Sequence, residues 1–244
     1  FPEESDLNMA DLKGTSITWL GHATVLIVTP KGTTILIDPF IEHNPKYPKG
    51  YQLPEKIDLL LVSHGHMDHV ADAVPVAKKH GAVAIGMVEV IGWLQSKGLK
   101  DGIGMNIGGS HKHADVTVSL TEAHHSSGIS DGDKTIYGGE PAGLIIAIDN
   151  GPTLYHAGDT SVFSDMKLIG ELYHPDLAML PIGDHYTMGP RLAAVAARYV
   201  GAKTVLPIHW GTFPPLIGRP AELEKELAGS GVTVIHTEPG KTLN

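Results

Sequence analysis

The sequence predicts an α/β domain, with strands and helices layered around a central core. Three observations carry this prediction: short β-branched and apolar runs recur along the chain, clusters of Gly and Pro separate them, and a few helical patterns fall between. With 244 residues, 42% apolar and 18% charged, the chain can bury a substantial core as one large unit or two small ones. Disordered, collagen-like and mini-protein classes are thereby excluded.

In chain order, residues 16–20 read as a strand ended by Gly21, 24–29 as a strand ended by Pro30 and Gly32, and 34–38 as a strand ended by Pro39. The Pro- and Gly-containing stretch 45–54 reads as a loop, and the continuous apolar run 59–63 as a buried strand. Helix 70–80 stops at Gly81, strand 82–85 follows, and helix 89–97 stops at Gly98. Strand 116–120 leads to a Gly-rich stretch, 128–143, expected to be a loop over any site. Strands 144–148 and 153–156 flank an Asn-Gly-Pro turn. Strand 177–180, helix 191–200, strand 204–208, helix 221–228 and strand 232–236 complete the pattern.

A weak internal repeat runs through these elements. Gly32-Thr33-Thr34-Ile35-Leu36-Ile37-Asp38 aligns with Gly151-Pro152-Thr153-Leu154-Tyr155-His156-Ala157. Each is followed by an acid and an apolar strand, from Asp58 to His64 and from Asp176 to Ile182, then by a Gly-containing polar loop and an Ala- and Val-rich helix. Two similar halves sharing one core are expected, and the alignment sets Asp184 over His66.

The absence of cysteine removes disulfides, thiol nucleophiles and thiolate metal sites, so any metal must be held by His, Asp or Glu, and the 15 histidines become the informative residues. The formal net charge of −9 and the lack of a basic run argue against nucleic acid as a partner. No apolar run approaches the ~18 residues of a membrane span. The opening Phe1-Pro2-Glu3-Glu4-Ser5-Asp6 lacks Met and a signal pattern, so residues 1–13 are expected to be an extension or a remnant, with Met9 as an alternative start. A cytoplasmic location is expected, with a processed secreted protein as the alternative.

The strongest chemical signal is Ser63-His64-Gly65-His66-Met67-Asp68-His69, between an apolar strand and a helix. Four potential ligands occupy six positions, and neutral imidazoles with a carboxylate suit Zn²⁺, Fe²⁺ or Mn²⁺. Gly65 is expected to give the backbone freedom to bend. The competing reading is a solvated helix entry with Asp68 as its cap. His124, His125, Asp159 and His209 stand at later strand ends, where α/β folds collect ligands. Trp19, Trp93 and Trp210 read as packing residues and the methionines as core filler. His80, His111, His113, His174 and His236 read as surface or turn residues. Asp38 either stabilises the turn before Pro39 or supports a metal-binding histidine.

The motif His64, His66, Asp68, His69, followed by His125, Gly158-Asp159-Thr160 and His209, resembles that of the metallo-β-lactamase superfamily. Trp19-Leu20-Gly21-His22-Ala23-Thr24, Ile37-Asp38-Pro39, Pro181-Ile182-Gly183-Asp184 and Thr187-Met188-Gly189-Pro190 are similar to its metal-dependent hydrolase and ascorbate-6-phosphate lactonase branch. The resemblance runs from about Ile17 to the C-terminus. It implies a four-layer αββα sandwich and two divalent ions, Zn first, with Mn or Fe as alternatives. It assigns His64, His66 and His125 to one ion, Asp68, His69 and His209 to the other, and Asp159 to both; only family spacing favours His125 over His124. The family counterpart of His22 lies near the metals, so His22 is expected beside the site, facing substrate or backing a ligand.

The function these features imply is hydrolysis of a small ester, lactone or phosphoester by a hydroxide bridging the two ions, with Asp68 also handling protons. The repeat adds Asp184 as a substrate-binding or proton-handling carboxylate, with His185 beside it; a helix-entry cap is the alternative. A flavodiiron-like redox protein and a metal-binding scaffold without turnover are the competing functions. The expected partner is a small-molecule substrate, and homo-oligomers stay open.

Overall fold

The computed structural model describes residues 10–244. The expected extension and the alternative start at Met9 fall outside the described residues except for residues 10–13, of which Leu12 is buried between the sheets. The first half runs β1 (Ser16–Trp19), β2 (Val25–Val28), β3 (Thr34–Ile37), β4 (Leu59–Val62), α1 (Met67–Val70), α2 (Ala73–His80), β5 (Val83–Met87), α3 (Val88–Ser96) and β6 (Gly102–Met105). The chain continues through β7 (Ser110–His113), β8 (Val116–Glu122), β9 (Gly128–Asp131), β10 (Lys134–Tyr137), β11 (Ala142–Ile148) and β12 (Thr153–His156). It ends with α4 (Met166–Tyr173), β13 (Leu177–Pro181), α5 (Pro190–Val200), β14 (Thr204–Ile208), α6 (Pro220–Glu226), β15 (Thr233–Val234) and β16 (Thr242–Leu243).

Two seven-stranded mixed sheets result, ordered β16-β1-β2-β3-β4-β5-β6 and β15-β14-β13-β12-β11-β8-β7. Side-chain alternation explains how they stack. Ile35, Ile37, Leu59 and Leu61 face the second sheet, where they meet Leu144, Ile146, Leu177 and Met179. Their neighbours Leu36, Leu60 and Val62 face the first set of helices, and Ile145, Ala178 and Leu180 the second. Both faces of the central strands are therefore apolar, and the four-layer α/β sandwich follows.

The internal repeat is visible in hydrogen bonds. Thr34 N–H donates to Asp58 Oδ2 at 2.9 Å and Asp58 N–H returns to the Thr34 carbonyl at 2.9 Å. Thr153 N–H donates to Asp176 Oδ2 at 2.8 Å, and Asp176 N–H returns to the Thr153 carbonyl at 2.8 Å. Each aspartate thus clamps the start of a parallel strand pair, β3–β4 or β12–β13.

Several expected elements are corrected. The stretch 128–143 contains the β9–β10 hairpin, which packs Ile129 into the core and turns at Gly132. The helix expected over 70–80 begins at Met67 and is broken between α1 and α2. Helix α4 and strands β6, β7 and β16 were not anticipated: α4 buries only Met166 and Ile169, and the strands are rich in Gly or polar residues. His80, expected as a surface or turn residue, is the buried last residue of α2, with Nδ1 3.2 Å from the Glu55 carbonyl. Gly65 does not adopt positive φ; it is required because a Cβ there would stand 2.5 Å from Ile129 Cγ1 of the hairpin.

At the end of the sandwich where β3 and β4 begin, Asp115 joins the halves by accepting hydrogen bonds from Thr29 and Thr33 in the β2–β3 turn. Burial pushes the Asp115 carboxyl up, but the Thr33 and Thr29 hydroxyls outweigh it and hold it below the usual range. Stability from this depressed group is present above the unfolded carboxylate pKa of ~3.9 and is lost as pH falls through the lower folded value. Asp115→Ala is expected to cost about 2 kcal/mol at pH 7, and the cost should shrink in acid. Urea unfolding at pH 7 and pH 3 tests this; an equal cost at both would refute it.

Candidate metal centre

All the expected ligands gather at one end of the sandwich, at or just beyond strand C-termini. His64 and His66 follow β4, Asp68 and His69 lie on α1, His125 follows β8, Asp159 follows β12, and His209 follows β14. β8 and β12 deliver their loops to the same edge because β11 runs antiparallel to both.

His64, His66 and His125 each bring a ring nitrogen within 4.8 Å of the others. Asp68, His69 and His209, joined by His22, form a second group with the same limit. Asp159 stands between the groups: its Oδ2 is 3.6 Å from His125 Nε2, 3.5 Å from His69 Nε2 and 3.0 Å from His209 Nε2. Asp68 Oδ2 is 3.9 Å from both His69 Nε2 and His209 Nε2.

A buried carboxylate orients rings in both groups. Asp38 Oδ2 accepts from His69 Nδ1–H at 2.7 Å and from the Ser63 hydroxyl at 2.6 Å, while Oδ1 accepts from Ser63 N–H at 2.8 Å. The Ser63 oxygen then accepts from His64 Nδ1–H at 3.0 Å. Both rings consequently turn Nε2 toward the centre, which is the supporting role weighed for Asp38. His156, not singled out from sequence, donates Nε2–H to the Ala23 carbonyl at 2.9 Å and accepts Gly158 N–H at 3.1 Å. It fixes the turn that presents Asp159. Gly158 has φ +61°, and a Cβ there would lie 2.9 Å from the Ala142 carbonyl oxygen.

Backbone strain concentrates here. Nine described non-glycine residues have positive φ, and five of them, His22, Asp38, Asp184, His185 and His209, belong to the loops at this edge.

The electrostatics separate the two groups. Burial pushes His64, His66 and His125 below the ordinary histidine value, which favours neutral rings, and His64 Nε2 lies 3.0 Å from His66 Nδ1. Burial acts the same way on His69 and His209, but Asp159 and the other carboxylates prevail, raising His69 well above its usual value and His209 to about 9. Asp159 and Asp68, pushed up by burial, are held below the carboxylate range by His209 and His69. A divalent cation would supply the charge that these protons supply and would release them. The donor atoms fit such an ion: among the described residues, His69 Nε2, Asp159 Oδ1 and both ring nitrogens of His209 are buried without a hydrogen-bond partner, and nitrogen with carboxylate oxygen suits Zn²⁺, Mn²⁺ or Fe²⁺.

His124 does not join the cluster; its exposed ring stacks on Phe163 with centroids 4.5 Å apart. His22 is fully buried against Asp68 rather than open to the cleft. The cleft, about 400 Å³, is lined by His66, Asp68, His125, Ser126, Asp159, Tyr186, His209 and Phe213. Asp184 stands outside this lining, exposed, and its carboxylate accepts the N–H of His185 at 2.8 Å. It does not cap α5 either, whose N-cap is Gly189. The same loop delivers Tyr186 to the cleft instead. Ser126, Tyr186 and Phe213 were missed; the sequence signal available was only their place in loops beyond strand ends. Trp19 and Trp210 pack as expected, their rings stacked 5.4 Å apart.

Two mixed sheets flanked by helices, with a His/Asp cluster across one edge, define a metal-dependent hydrolase of the metallo-β-lactamase fold. The β-lactamase superfamily domain matches residues 33–210. A UPF0173 metal-dependent hydrolase of Koribacter versatilis is 52% identical over 95% of this chain and 99% of its own, and one of Solibacter usitatus 49% over 92% and 97%. Igni18, a metallo hydrolase of Ignicoccus hospitalis, superposes with a TM-score of 0.82 at 37% identity, covering 94% of this chain and 97% of its own. The chain belongs to the UPF0173 metal-dependent hydrolase family. Among the described residues, no helix is long and apolar enough to cross a membrane.

Proposed function

We propose that this protein is a binuclear metal-dependent hydrolase acting on a small ester, lactone or phosphoester. The observation that carries the reading is Asp159, whose Oδ2 lies within 3.6 Å of histidines from both groups. In this reading His64, His66 and His125 hold one ion, Asp68, His69 and His209 the other, and Asp159 both, with Zn the first choice and Mn or Fe the alternatives. Ions bound there supply Lewis acidity and an activated water at neutral pH. Asp68, partly exposed to the cleft, accepts or passes on a proton, and Asp38 keeps His64 and His69 in register. Phe213 and Tyr186 bind the organic part of a substrate small enough for the cleft.

Metal analysis of the purified protein, paired with a panel of aryl esters, lactones, phosphodiesters and β-lactams, tests the reading. Two ions per chain are expected, with turnover lost on chelation and restored by metal. At most one ion after reconstitution refutes the binuclear site, and two ions without turnover of any substrate refute the hydrolase. His125→Ala should weaken metal binding by about 10-fold or more, whereas His124→Ala, which loses only a surface stack, should stay within about 2-fold. The reverse order would move the ligand by one residue.

A further inference from the structure

The ring of His22 is fully buried and sandwiched among Phe40, Phe213 and His209, the last only 3.9 Å away centroid to centroid. Its backbone is held at φ +56°, with the carbonyl accepting from Trp19 Nε1–H at 2.9 Å and from His209 N–H at 2.8 Å. The ring therefore has a fixed position, and its two nitrogens have one partner each. Nε2 lies 2.9 Å from Asp68 Oδ2, and Nδ1 lies 3.0 Å from Thr212 Oγ1. A carboxylate can only accept, so Nε2 carries the hydrogen; the lone pair of the neutral ring is then on Nδ1, where the buried Thr212 hydroxyl donates to it.

This has a consequence for the second group of donors. His22 meets the distance limit for sharing an ion with Asp68, His69 and His209, yet a nitrogen that carries a hydrogen offers no lone pair to a metal. Asp68, in contrast, sits on the single turn α1 and is partly exposed, and Oδ2 is the oxygen that faces both His69 and His209. Among the described residues, His22 provides the one side-chain hydrogen bond at normal distance that holds that carboxylate.

We propose that Thr212 and His22 form a relay that positions the Asp68 carboxylate, so that Thr212, which does not itself line the cleft, sets the affinity of the second ion. His22 and Thr212 are positioning residues and not ligands. The inference rests on the binuclear reading above for its metal consequence, and on hydrogen-bond geometry alone for the tautomer.

The test compares Thr212→Val, which keeps shape and removes the hydroxyl, with Thr212→Ser, which keeps the hydroxyl. Zinc titration of the metal-free proteins should show the affinity for the second ion reduced about 10-fold in Thr212→Val, the first ion unaffected, and Thr212→Ser within about 3-fold of wild type. Nitrogen NMR of metal-free, ring-labelled wild type should show His22 as the Nε2–H tautomer, and Thr212→Val should perturb its Nδ1 signal. A hydrogen found on Nδ1 instead, or unchanged second-ion affinity in Thr212→Val, overturns the relay. A variant that fails to fold is recognised by loss of both ions, and Thr212→Ser then decides through the Nδ1 signal, which must remain as in wild type. Wild type that binds two ions but turns over no substrate refutes the hydrolase reading and leaves the relay standing. Wild type that binds fewer than two ions refutes the binuclear reading and, with it, the metal consequence of the relay.

Discussion

Asp159→Ala is expected to lose the second ion and to lower turnover about a thousandfold or more. The carboxylate faces the Nε2 atoms of His125 in one cluster and of His69 and His209 in the other, and Oδ1 is buried without a hydrogen-bond partner among the described residues. Metal assistance contributes several kcal/mol to such reactions, and each ~1.4 kcal/mol is tenfold in rate. The fold should survive, because the turn is held by His156 and Gly158 rather than by the Asp159 side chain. Metal content, circular dichroism and initial rates are measured together. Retention of both ions with rates within tenfold of wild type would reduce Asp159 to a turn residue.

Asp38→Ala is expected to be the most destabilising single change at the site, about 3–5 kcal/mol, because it leaves buried His69 and Ser63 donors without their acceptor. It should also weaken binding of both ions, since His64 and His69 are oriented through the same carboxylate. Asp38→Asn is the informative control: it tolerates the φ of +44° and keeps one acceptor oxygen, so it should recover part of the stability. Denaturant unfolding of the metal-free proteins gives the comparison. A loss below about 1 kcal/mol in Asp38→Ala would contradict the network.

The cluster of candidate donors was legible in the sequence because few side chains serve as metal donors and four of them crowd into 64–69. The two-half architecture was legible because Asp58 and Asp176 precede continuous apolar strands in the same grammar, and both proved to clamp a strand start. The walls of the cleft were not. Tyr186, Phe213 and Ser126 acquire their place only when loops from distant strands converge, and nothing in their local spacing marks them. The alignment of Asp184 with His66 misled for a related reason: two successive left-handed residues turn that loop so that it presents Tyr186 to the cleft. The β9–β10 hairpin was hidden by its glycines, although Ile129 and Ile136 pair across it. Gly65 was recognised as necessary, but the cause is the approach of that hairpin rather than the turn.

The stacked Trp19 and Trp210 give the molecule a built-in optical probe. Trp19 is hydrogen-bonded through its indole to the His22 carbonyl, and Trp210 directly follows His209, so the pair touches the second group of donors from behind. Two indoles in stacked contact couple their electronic transitions, and a change of charge or ring tilt at His209 reaches them through one peptide link. Near-ultraviolet dichroism and tryptophan emission should therefore report the loading of that position without a label, while the third tryptophan, Trp93, hydrogen-bonded to Asp131 of the β9–β10 hairpin, reports on that separate region.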